Sequence, residues 1–440
     1  MFSEELEKYS WEETTREIYS KTAADVELAL SKSQLAIDDF MALISPAAEK
    51  YLEPMAALSQ KYTLQRFGKT ISMYIPLYIT NSCTNFCVYC GFNHNNPLKR
   101  VILNEEEILN ELHAIKKLGN FENLLIVTGE NPKEAGVDYL ERALQLAHPL
   151  FANLSIEVMP LKAEDYKRLT HSGLNGVVCF QETYNRARYN VYHPKGMKSK
   201  FDWRVNGFDR MGQAHVHKIG LGVLIGLEEW RTDVTMMARH LRYLQKHYWQ
   251  TKYSVNFPRM RPSEGHFQPN VILEDRALAQ LIFAFRIFDH DVDISISTRE
   301  GAEFRNNMLP LGITSLSAGS KTEPGGYFTY PQALEQFHHL TAGLRVQRSC
   351  GFVCQKKLRL VDYGSGDSHP LHLPSGELVR SETNPVGKPH PLQGTQGFLP
   401  SFLPGNMGIS QRHLHVFQGC LLGKQMKALE YEADFMKADI

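Results

Sequence analysis

Short apolar segments of β-type composition alternate with amphipathic segments from about residue 71 onward, and this alternation limits the possible folds more than any other feature. Eight such segments can be counted, at residues 72–80, 123–130, 153–160, 176–184, 218–227, 253–262, 293–300 and 313–321. Strands that alternate with helices pair in parallel, and eight repeats in about 250 residues match a (β/α)8 barrel. The sequence therefore predicts an α/β protein with a TIM-type barrel over residues 71–337.

The segments between the predicted strands have helical character. Residues 105–118 are acidic at their start and basic at their end, and Gly119 follows them, as at a helix C-terminus. The main competing fold is an open doubly wound sheet. Its glycine-rich dinucleotide fingerprint is missing from the first strand-to-helix junction, which favours the barrel.

The two ends of the chain differ from this central pattern. Residues 1–70 show apolar positions at helical spacing and no glycine before Gly68, so they predict a helical N-terminal segment. Residues 338–440 contain Gly/Ser/Pro-rich runs and few acidic residues. We expect an irregular extension there, with a short helix over residues 422–437.

Composition excludes several classes of function. The chain of 440 residues has 48 Lys+Arg and 48 Asp+Glu, so it has no basic excess for nucleic-acid binding. No stretch reaches the roughly 18 to 20 apolar residues that span a bilayer, and the acidic N-terminus does not resemble a signal peptide. We expect a cytoplasmic protein that binds neither nucleic acid nor membrane.

Three of the seven cysteines, Cys83, Cys87 and Cys90, fall within eight residues directly after the first predicted strand. This location is the C-terminal mouth of the predicted barrel, where such folds keep their active sites. Three thiolates at this spacing can bind three irons of a [4Fe-4S] cluster, which leaves the fourth iron open to a small ligand. A zinc site completed by His94, or three buried reduced thiols, are the alternatives.

The C-x3-C-x2-C spacing, with the aromatic Tyr89 before the last cysteine, resembles the motif of the radical S-adenosylmethionine (SAM) superfamily. The resemblance implies that Cys83, Cys87 and Cys90 bind a [4Fe-4S] cluster and that SAM is the second cofactor. It also implies reductive cleavage of SAM to methionine and a 5′-deoxyadenosyl radical that abstracts a hydrogen atom. An enclosed barrel suits so reactive a species.

Further positions at the mouth are candidates for SAM binding under the same resemblance. Gly129 and Glu130 resemble the element that binds the SAM ammonium group, although an ordinary Gly-Glu turn also fits. Glu182 belongs to a polar run at a strand end and is the candidate for the ribose hydroxyls. Arg204 is the candidate for the SAM carboxylate, with a solvent-exposed helix-start arginine as the alternative, and Gly226 is the candidate for close approach to adenine.

An ordered set of further motifs resembles the 2-iminoacetate synthase family, over roughly residues 1–337. The motifs lie at residues 181–185, 193–196, 202–204, 226–231, 257–262, 296–300 and 316–326. The resemblance implies cleavage of the Cα–Cβ bond of L-tyrosine to p-cresol and 2-iminoacetate for thiamine thiazole biosynthesis. It also implies a thiazole synthase subunit as partner and a flavodoxin or ferredoxin as reductant.

An amino-acid substrate requires groups that bind its carboxylate and its polar atoms. Arg299, at the end of the seventh predicted strand, is a bidentate donor that suits the carboxylate. Ser317 and Tyr78, near the mouths of the eighth and first strands, are weaker candidates for polar contacts. Both could equally fill an ordinary layer of the barrel interior.

Several alternatives remain at this point. A tryptophan lyase would share most of the motifs, and a hydrogenase-maturation tyrosine lyase would need a second cluster motif, for which Cys350, Cys354 and Cys420 have the wrong spacing. No tryptophan follows Trp249, whereas the family pattern closes with a Trp-containing segment, so an inactive subunit is a further alternative. A zinc-stabilised barrel that only binds a partner is the last one.

Overall fold

The computed structural model describes residues 1–261, 267–329, 346–347 and 352–354, and its centre is a closed barrel of parallel strands. The strands are β1 (Thr70–Thr80), β2 (Asn123–Thr128), β3 (Asn153–Glu157), β4 (Leu174–Glu182), β5 (Lys218–Val223), β6 (Lys252–Asn256), β7 (Asp293–Ile296) and β8 (Ser315–Ser317). Each strand pairs in parallel with the next, and β1 pairs with both β2 and β8. The predicted barrel is confirmed, with strands that mostly end earlier than the sequence pattern suggested.

Helices cover the outside of this barrel. They are α1 (Phe2–Leu6), α2 (Trp11–Ser20), α3 (Ala23–Ser31), α4 (Ile37–Ile44), α5 (Leu52–Phe67), α6 (Glu105–Leu118), α7 (Val137–Ala147), α8 (Ala163–His171), α9 (Arg186–Tyr192), α10 (Phe201–Val205), α11 (Gly207–Gln213), α12 (Trp230–His247), α13 (Asp275–Phe288), α14 (Ala302–Met308) and α15 (Gly326–Thr329). Helix α6 has the predicted bounds. The Asn104 side chain accepts a hydrogen bond from the Glu107 amide at 3.0 Å, which fixes its start.

The N-terminal helices form a layer against α12 and α13, as the helical pattern of residues 1–70 predicted. Phe2 is fully buried and stacks on the His240 ring of α12, with 3.7 Å between ring centroids. The buried Gln280 of α13 donates to the carbonyls of Leu43 and Ser45, both at 2.9 Å. The layer thus combines apolar burial with satisfied backbone acceptors, and it supports the barrel from outside.

Two short strands follow the barrel in sequence. Strand β9 (Val346–Gln347) pairs antiparallel with β10 (Phe352–Cys354), and β10 pairs antiparallel with the start of β1 at Thr70–Ser72. The remainder of the predicted irregular extension, including the predicted helix at residues 422–437, lies outside the described residues. Among the helices of the described ranges, none has the length and apolarity to cross a membrane.

Candidate active site

The cysteine segment forms a loop between β1 and α6 at the C-terminal mouth of the barrel. Cys87 is buried, Cys83 and Cys90 are partly buried, and none of the three forms a disulfide. The guanidinium of Arg100 fastens the loop, because it donates hydrogen bonds to three backbone carbonyls. These acceptors are Asn81 at 2.8 Å, Phe92 at 3.0 Å and Asn93 at 2.6 Å.

A second segment, residues 192–199, packs against the cysteine loop. The amides of Phe86 and Val88 donate to the carbonyls of Lys195 and Tyr192, both at 3.1 Å. Gly196 has φ +97°, and a Cβ atom there would collide with the Asn85 side chain. This glycine is therefore required for the two segments to approach each other.

The buried cysteine thiols can become thiolates only beside a positively charged group. Burial raises the pKa of Cys87 to about 12 and also raises the pKa of Cys90. The thiolate forms thus need a cationic partner such as iron. A cubane needs one thiolate at each of three irons rather than three donors on one atom.

The described part of the chain contains no set of side chains arranged as zinc ligands. No three His, Cys, Asp or Glu side chains there are grouped so that they could hold a metal ion. His94, the suggested fourth ligand, is exposed, and its Nδ1 atom lies 3.3 Å from the Cys83 carbonyl oxygen.

Two of the predicted SAM-binding residues form a buried ion pair with each other. The Arg204 guanidinium donates to Glu130 Oε1 at 2.9 Å and to the Phe180 carbonyl at 2.6 Å. The other oxygen of Glu130 accepts from the Asn85 amide at 2.7 Å. Burial alone would raise the pKa of Glu130, but Arg204 and Lys198 outweigh it and hold this pKa below its ordinary value. Glu130 is therefore ionised and fixed beside the cysteine loop.

Glu182 ends β4 and forms the second buried ion pair of the mouth. Its carboxylate accepts from Lys198 Nζ at 2.6 Å, and both side chains are nearly buried. The backbone of Glu182 has φ +72°, a conformation that non-glycine residues rarely adopt. The β4 to β5 register also shifts between Phe180 and Glu182, so the strand bends where this carboxylate leaves it.

Tyr89 is held by hydrogen bonding as well as by packing. Its hydroxyl lies 2.8 Å from His193 Nε2, and His193 Nδ1 lies 2.9 Å from the Tyr189 carbonyl oxygen. The carbonyl can only accept, so Nδ1 donates and Nε2 accepts from Tyr89. Burial, with Lys198 and Arg204 nearby, lowers the pKa of His193 to about 2, which keeps the ring neutral.

The two predicted glycines occupy positions that exclude a side chain. A Cβ atom at Gly129 would collide with the Ser82 carbonyl oxygen, because the cysteine loop crosses the end of β2 at this point. Gly226, after β5, has φ +127°. Its carbonyl accepts from the Asn270 amide at 2.8 Å. Both positions need glycine for backbone reasons, whatever ligand they meet.

The three predicted substrate residues all lie toward the barrel interior or its rim. The Tyr78 ring packs edge to face on Phe92, with centroids 6.1 Å apart. Ser317 is buried, and its hydroxyl accepts from the Thr298 amide at 3.1 Å. Arg299 lies exposed in the loop after β7, and its guanidinium has no hydrogen bond or ion pair with another described residue. The predicted roles of these residues stay predictions.

The structure adds residues that sequence reasoning missed. Lys198 contacts Glu182 and His193 contacts Tyr89. The predicted motif at residues 193–196 contains His193, whereas no predicted motif contained Lys198. Glu300 is buried and accepts from both Arg259 and Arg261, which joins the loops after β6 and β7. Glu157, the last residue of β3, lies inside the predicted segment 153–160 and was also missed.

A parallel eight-stranded barrel with three free thiols in the loop after its first strand defines the radical SAM class of enzymes. In agreement, the family model of the Radical SAM superfamily matches residues 77–239, and that of the Biotin and Thiamin Synthesis associated domain matches residues 256–356. These two matches cover the barrel from the end of β1 to β10, apart from residues 240–255. The cofactors of this class are a [4Fe-4S] cluster and SAM.

Curated relatives identify the family within this class. The chain is 49% identical over 337 residues to 2-iminoacetate synthase of Escherichia coli (strain K12), and 48% identical to that of Salmonella typhimurium. Each alignment covers 76% of this chain and 89% of the relative. A 3-methylornithine synthase of Methanosarcina acetivorans is 25% identical over 317 residues. The chain belongs to the 2-iminoacetate synthase family.

Solved structures agree with the fold. The hydrogenase maturase HydG from Carboxydothermus hydrogenoformans is 28% identical, with a TM-score of 0.70, and the match covers 74% of this chain and 78% of that one. A second HydG structure has a TM-score of 0.66 at 27% identity, with 74% of this chain and 72% of that chain covered. About three-quarters of this chain thus shares its fold with HydG, a maturase of the [FeFe]-hydrogenase.

Proposed function

We propose that this protein is a lyase that cleaves the Cα–Cβ bond of L-tyrosine to 2-iminoacetate and p-cresol, and that it serves thiamine thiazole biosynthesis. The observation that carries the proposal is the 48–49% identity that extends over 89% of each curated 2-iminoacetate synthase. The 337 aligned residues exceed the length of the barrel, which runs from Thr70 to Ser317. A related maturase activity is less well supported, since HydG is only 27–28% identical.

Different residues at the mouth bind the cluster and SAM. Cys83, Cys87 and Cys90 are the ligands for the [4Fe-4S] cluster, and Tyr89 lies between two of them on the same loop. When bound, the cluster and SAM supply one-electron cleavage of a sulfonium bond and so a radical that abstracts hydrogen. Glu130, with its negative charge fixed by Arg204, is suited to the SAM ammonium group.

The remaining residues act on the nucleoside and on the substrate. Glu182 is suited to the ribose hydroxyls, and Gly226 allows the backbone to approach the adenine. Arg299 has no partner of its own in the described structure and binds the substrate carboxylate. Arg299 is one of the charges that act on Tyr78, and the Ser317 hydroxyl accepts from the amide of Thr298, which precedes Arg299.

The partners follow from the chemistry of the reaction. The sulfonium bond is cleaved with one electron from outside, so a flavodoxin or a ferredoxin is the reductant. The product 2-iminoacetate hydrolyses readily, so a thiazole synthase subunit that takes it directly is the expected acceptor. Neither partner changes the assignment of the active-site residues.

The test is anaerobic incubation of reconstituted protein with SAM, a reductant and L-tyrosine. The proposal expects 5′-deoxyadenosine and p-cresol in equal amounts. Deoxyadenosine without p-cresol, together with cleavage of L-tryptophan, would replace tyrosine by tryptophan as substrate. The absence of both products from brown, cluster-loaded protein would indicate an inactive subunit.

A further inference from the structure

The interior face of the barrel can be followed from strand to strand. The Tyr74 hydroxyl of β1 lies 3.3 Å from the Ser295 hydroxyl of β7, and these strands are not neighbours. Both side chains therefore point into the barrel interior. Tyr78 lies on the same face of β1, four residues further on, because side chains alternate along a strand.

The strand register also shows which residue of β3 points into the barrel interior. Tyr78 is the partner of Val127 in β2, and Val127 is the partner of Glu157 in β3. Partnered residues in neighbouring strands point to the same side of a sheet. Leu154 and Ile156 are fully buried on the opposite, helix-covered face, whereas Glu157 is partly accessible from the interior. Glu157 thus presents its carboxylate to the barrel interior.

This carboxylate lacks a partner, unlike the other acidic groups of the mouth. Within the described residues it accepts no hydrogen bond and forms no ion pair, whereas Glu130 and Glu182 each have a cation within 3 Å. Burial raises the pKa of Glu157 to about 7, and Arg299 is the strongest of the charges that oppose this rise. A buried carboxylate without a counterion is costly, so a cation from outside would stabilise it.

Arg299 and Glu157 together are complementary to a zwitterion. Arg299 is unpaired and cationic, and Glu157 is unpaired and acidic. An α-amino acid carries its carboxylate and ammonium groups on one carbon atom, and its phenol lies at the far end. If Arg299 binds the carboxylate, then the group nearest to Glu157 is the ammonium rather than the neutral phenol, which cannot compensate a buried charge.

We propose that Glu157 binds the α-ammonium group of the amino-acid substrate and accepts one proton from it, an inference that rests on the proposed function. An ammonium nitrogen has no lone pair, and abstraction of a hydrogen atom from nitrogen is far easier from the neutral amine. In the proton transfer an N–H bond breaks and an O–H bond forms at Glu157. The electron pair stays on nitrogen, and nothing is oxidised or reduced.

The test is an anaerobic binding titration of cluster-loaded enzyme to which SAM is already bound. It compares two ligands, each on the wild-type protein and on Glu157→Gln. The ligands are L-tyrosine and 3-(4-hydroxyphenyl)propanoate, which lacks only the amino group. In Glu157→Gln we expect tyrosine to bind about 10- to 100-fold more weakly, as for the loss of a hydrogen bond between charged groups. The propanoate should bind the variant as well as it binds the wild-type protein, or better.

Controls separate this effect from misfolding and from failure of the proposed function. Glu164→Gln removes an exposed carboxylate at the start of α8 and should bind both ligands like the wild type. Unchanged SAM affinity in Glu157→Gln shows an intact fold, and Glu157→Asp should restore part of the preference for tyrosine. If the wild-type protein does not bind L-tyrosine, the result contradicts the proposed function and not the role of Glu157.

Two results would overturn the role of Glu157. Equal weakening of both ligands in Glu157→Gln would place its contact at the phenol or carboxylate end. Unchanged affinity for tyrosine would remove it from the substrate site.

Discussion

The charged side chains of the barrel mouth fall into two groups that differ in their partners. Glu130 pairs with Arg204 and Glu182 pairs with Lys198, and all four side chains are nearly buried. The Glu157 carboxylate and the Arg299 guanidinium have no hydrogen-bonded partner among the described residues. The comparison separates charges that are neutralised by another side chain of the protein from charges that are free to pair with a ligand.

The distinction has a physical cause. Removing one member of a buried ion pair leaves an uncompensated charge and costs about 3–5 kcal/mol, so paired residues hold the site in shape before any ligand arrives. The unpaired residues do not hold the fold together, because Arg299 is exposed and the buried Glu157 carboxylate is itself costly, so substituting them should weaken ligand binding without lowering stability. Stability and binding should therefore respond differently to substitutions in the two groups.

The largest effect is expected outside both groups, at the cysteine loop. Cys87→Ala should abolish cluster-dependent cleavage of SAM, because two thiolates cannot hold a cubane with an open iron. The measurement is 5′-deoxyadenosine formed after anaerobic reconstitution, together with iron content. Cys179→Ala, at a buried cysteine inside β4, is the matched control and should stay active. Full activity of Cys87→Ala would contradict the ligand assignment.

The paired group is tested by Arg204→Met. This change leaves Glu130 buried without its cation, so the free energy of unfolding should fall by about 3 kcal/mol, and SAM should bind much more weakly. Urea unfolding and a SAM titration measure the two effects. Arg186→Met removes an exposed ion pair with Asp202 and should cost less than about 1 kcal/mol. If the free energy of unfolding fell by the same small amount in both variants, the buried ion pair would not stabilise the fold more than an exposed one.

The unpaired group is tested by Arg299→Lys. The ammonium keeps the charge but loses the bidentate geometry, so L-tyrosine should bind about 10-fold more weakly. Cleavage of SAM should continue without p-cresol, and the free energy of unfolding should not change. Tyramine, which lacks the carboxylate, should bind wild type and variant alike. Unchanged affinity for tyrosine would exclude Arg299 from the substrate site.

The smallest effect concerns pH. Burial raises the pKa of Glu157 to about 7, and the ionised form is the one that binds an ammonium group. Affinity for L-tyrosine should therefore rise by somewhat less than about 10-fold between about pH 6 and about pH 8. The groups that act on this carboxylate or share its interior face are Arg299, Glu182, Lys198, Arg204, Tyr74 and Tyr78.

Glu157→Gln keeps all of these other groups, so its binding profile reports their titration alone. The profile of this variant should be flat over the same range. A pH dependence that persists in Glu157→Gln would assign the titration to another group.

Periodicity and spacing predicted the barrel and the cysteine loop well, because both are local in sequence. The eight strands and α6 follow from alternation and from capping residues, which act within a few positions. The Glu130–Arg204 pair joins residues 74 positions apart, and no pattern in one sequence indicates it. The lone carboxylate of Glu157 was missed for the same reason, since its lack of partners is a property of the closed barrel.

The three hydrogen bonds from Arg100 to carbonyls of the cysteine loop have a consequence for the life of the enzyme. They join protein atoms only and do not involve the cysteine thiols, so we expect the loop to keep its form after oxygen destroys the cluster. Repair of the damaged enzyme would then require delivery of iron and sulfide but no refolding.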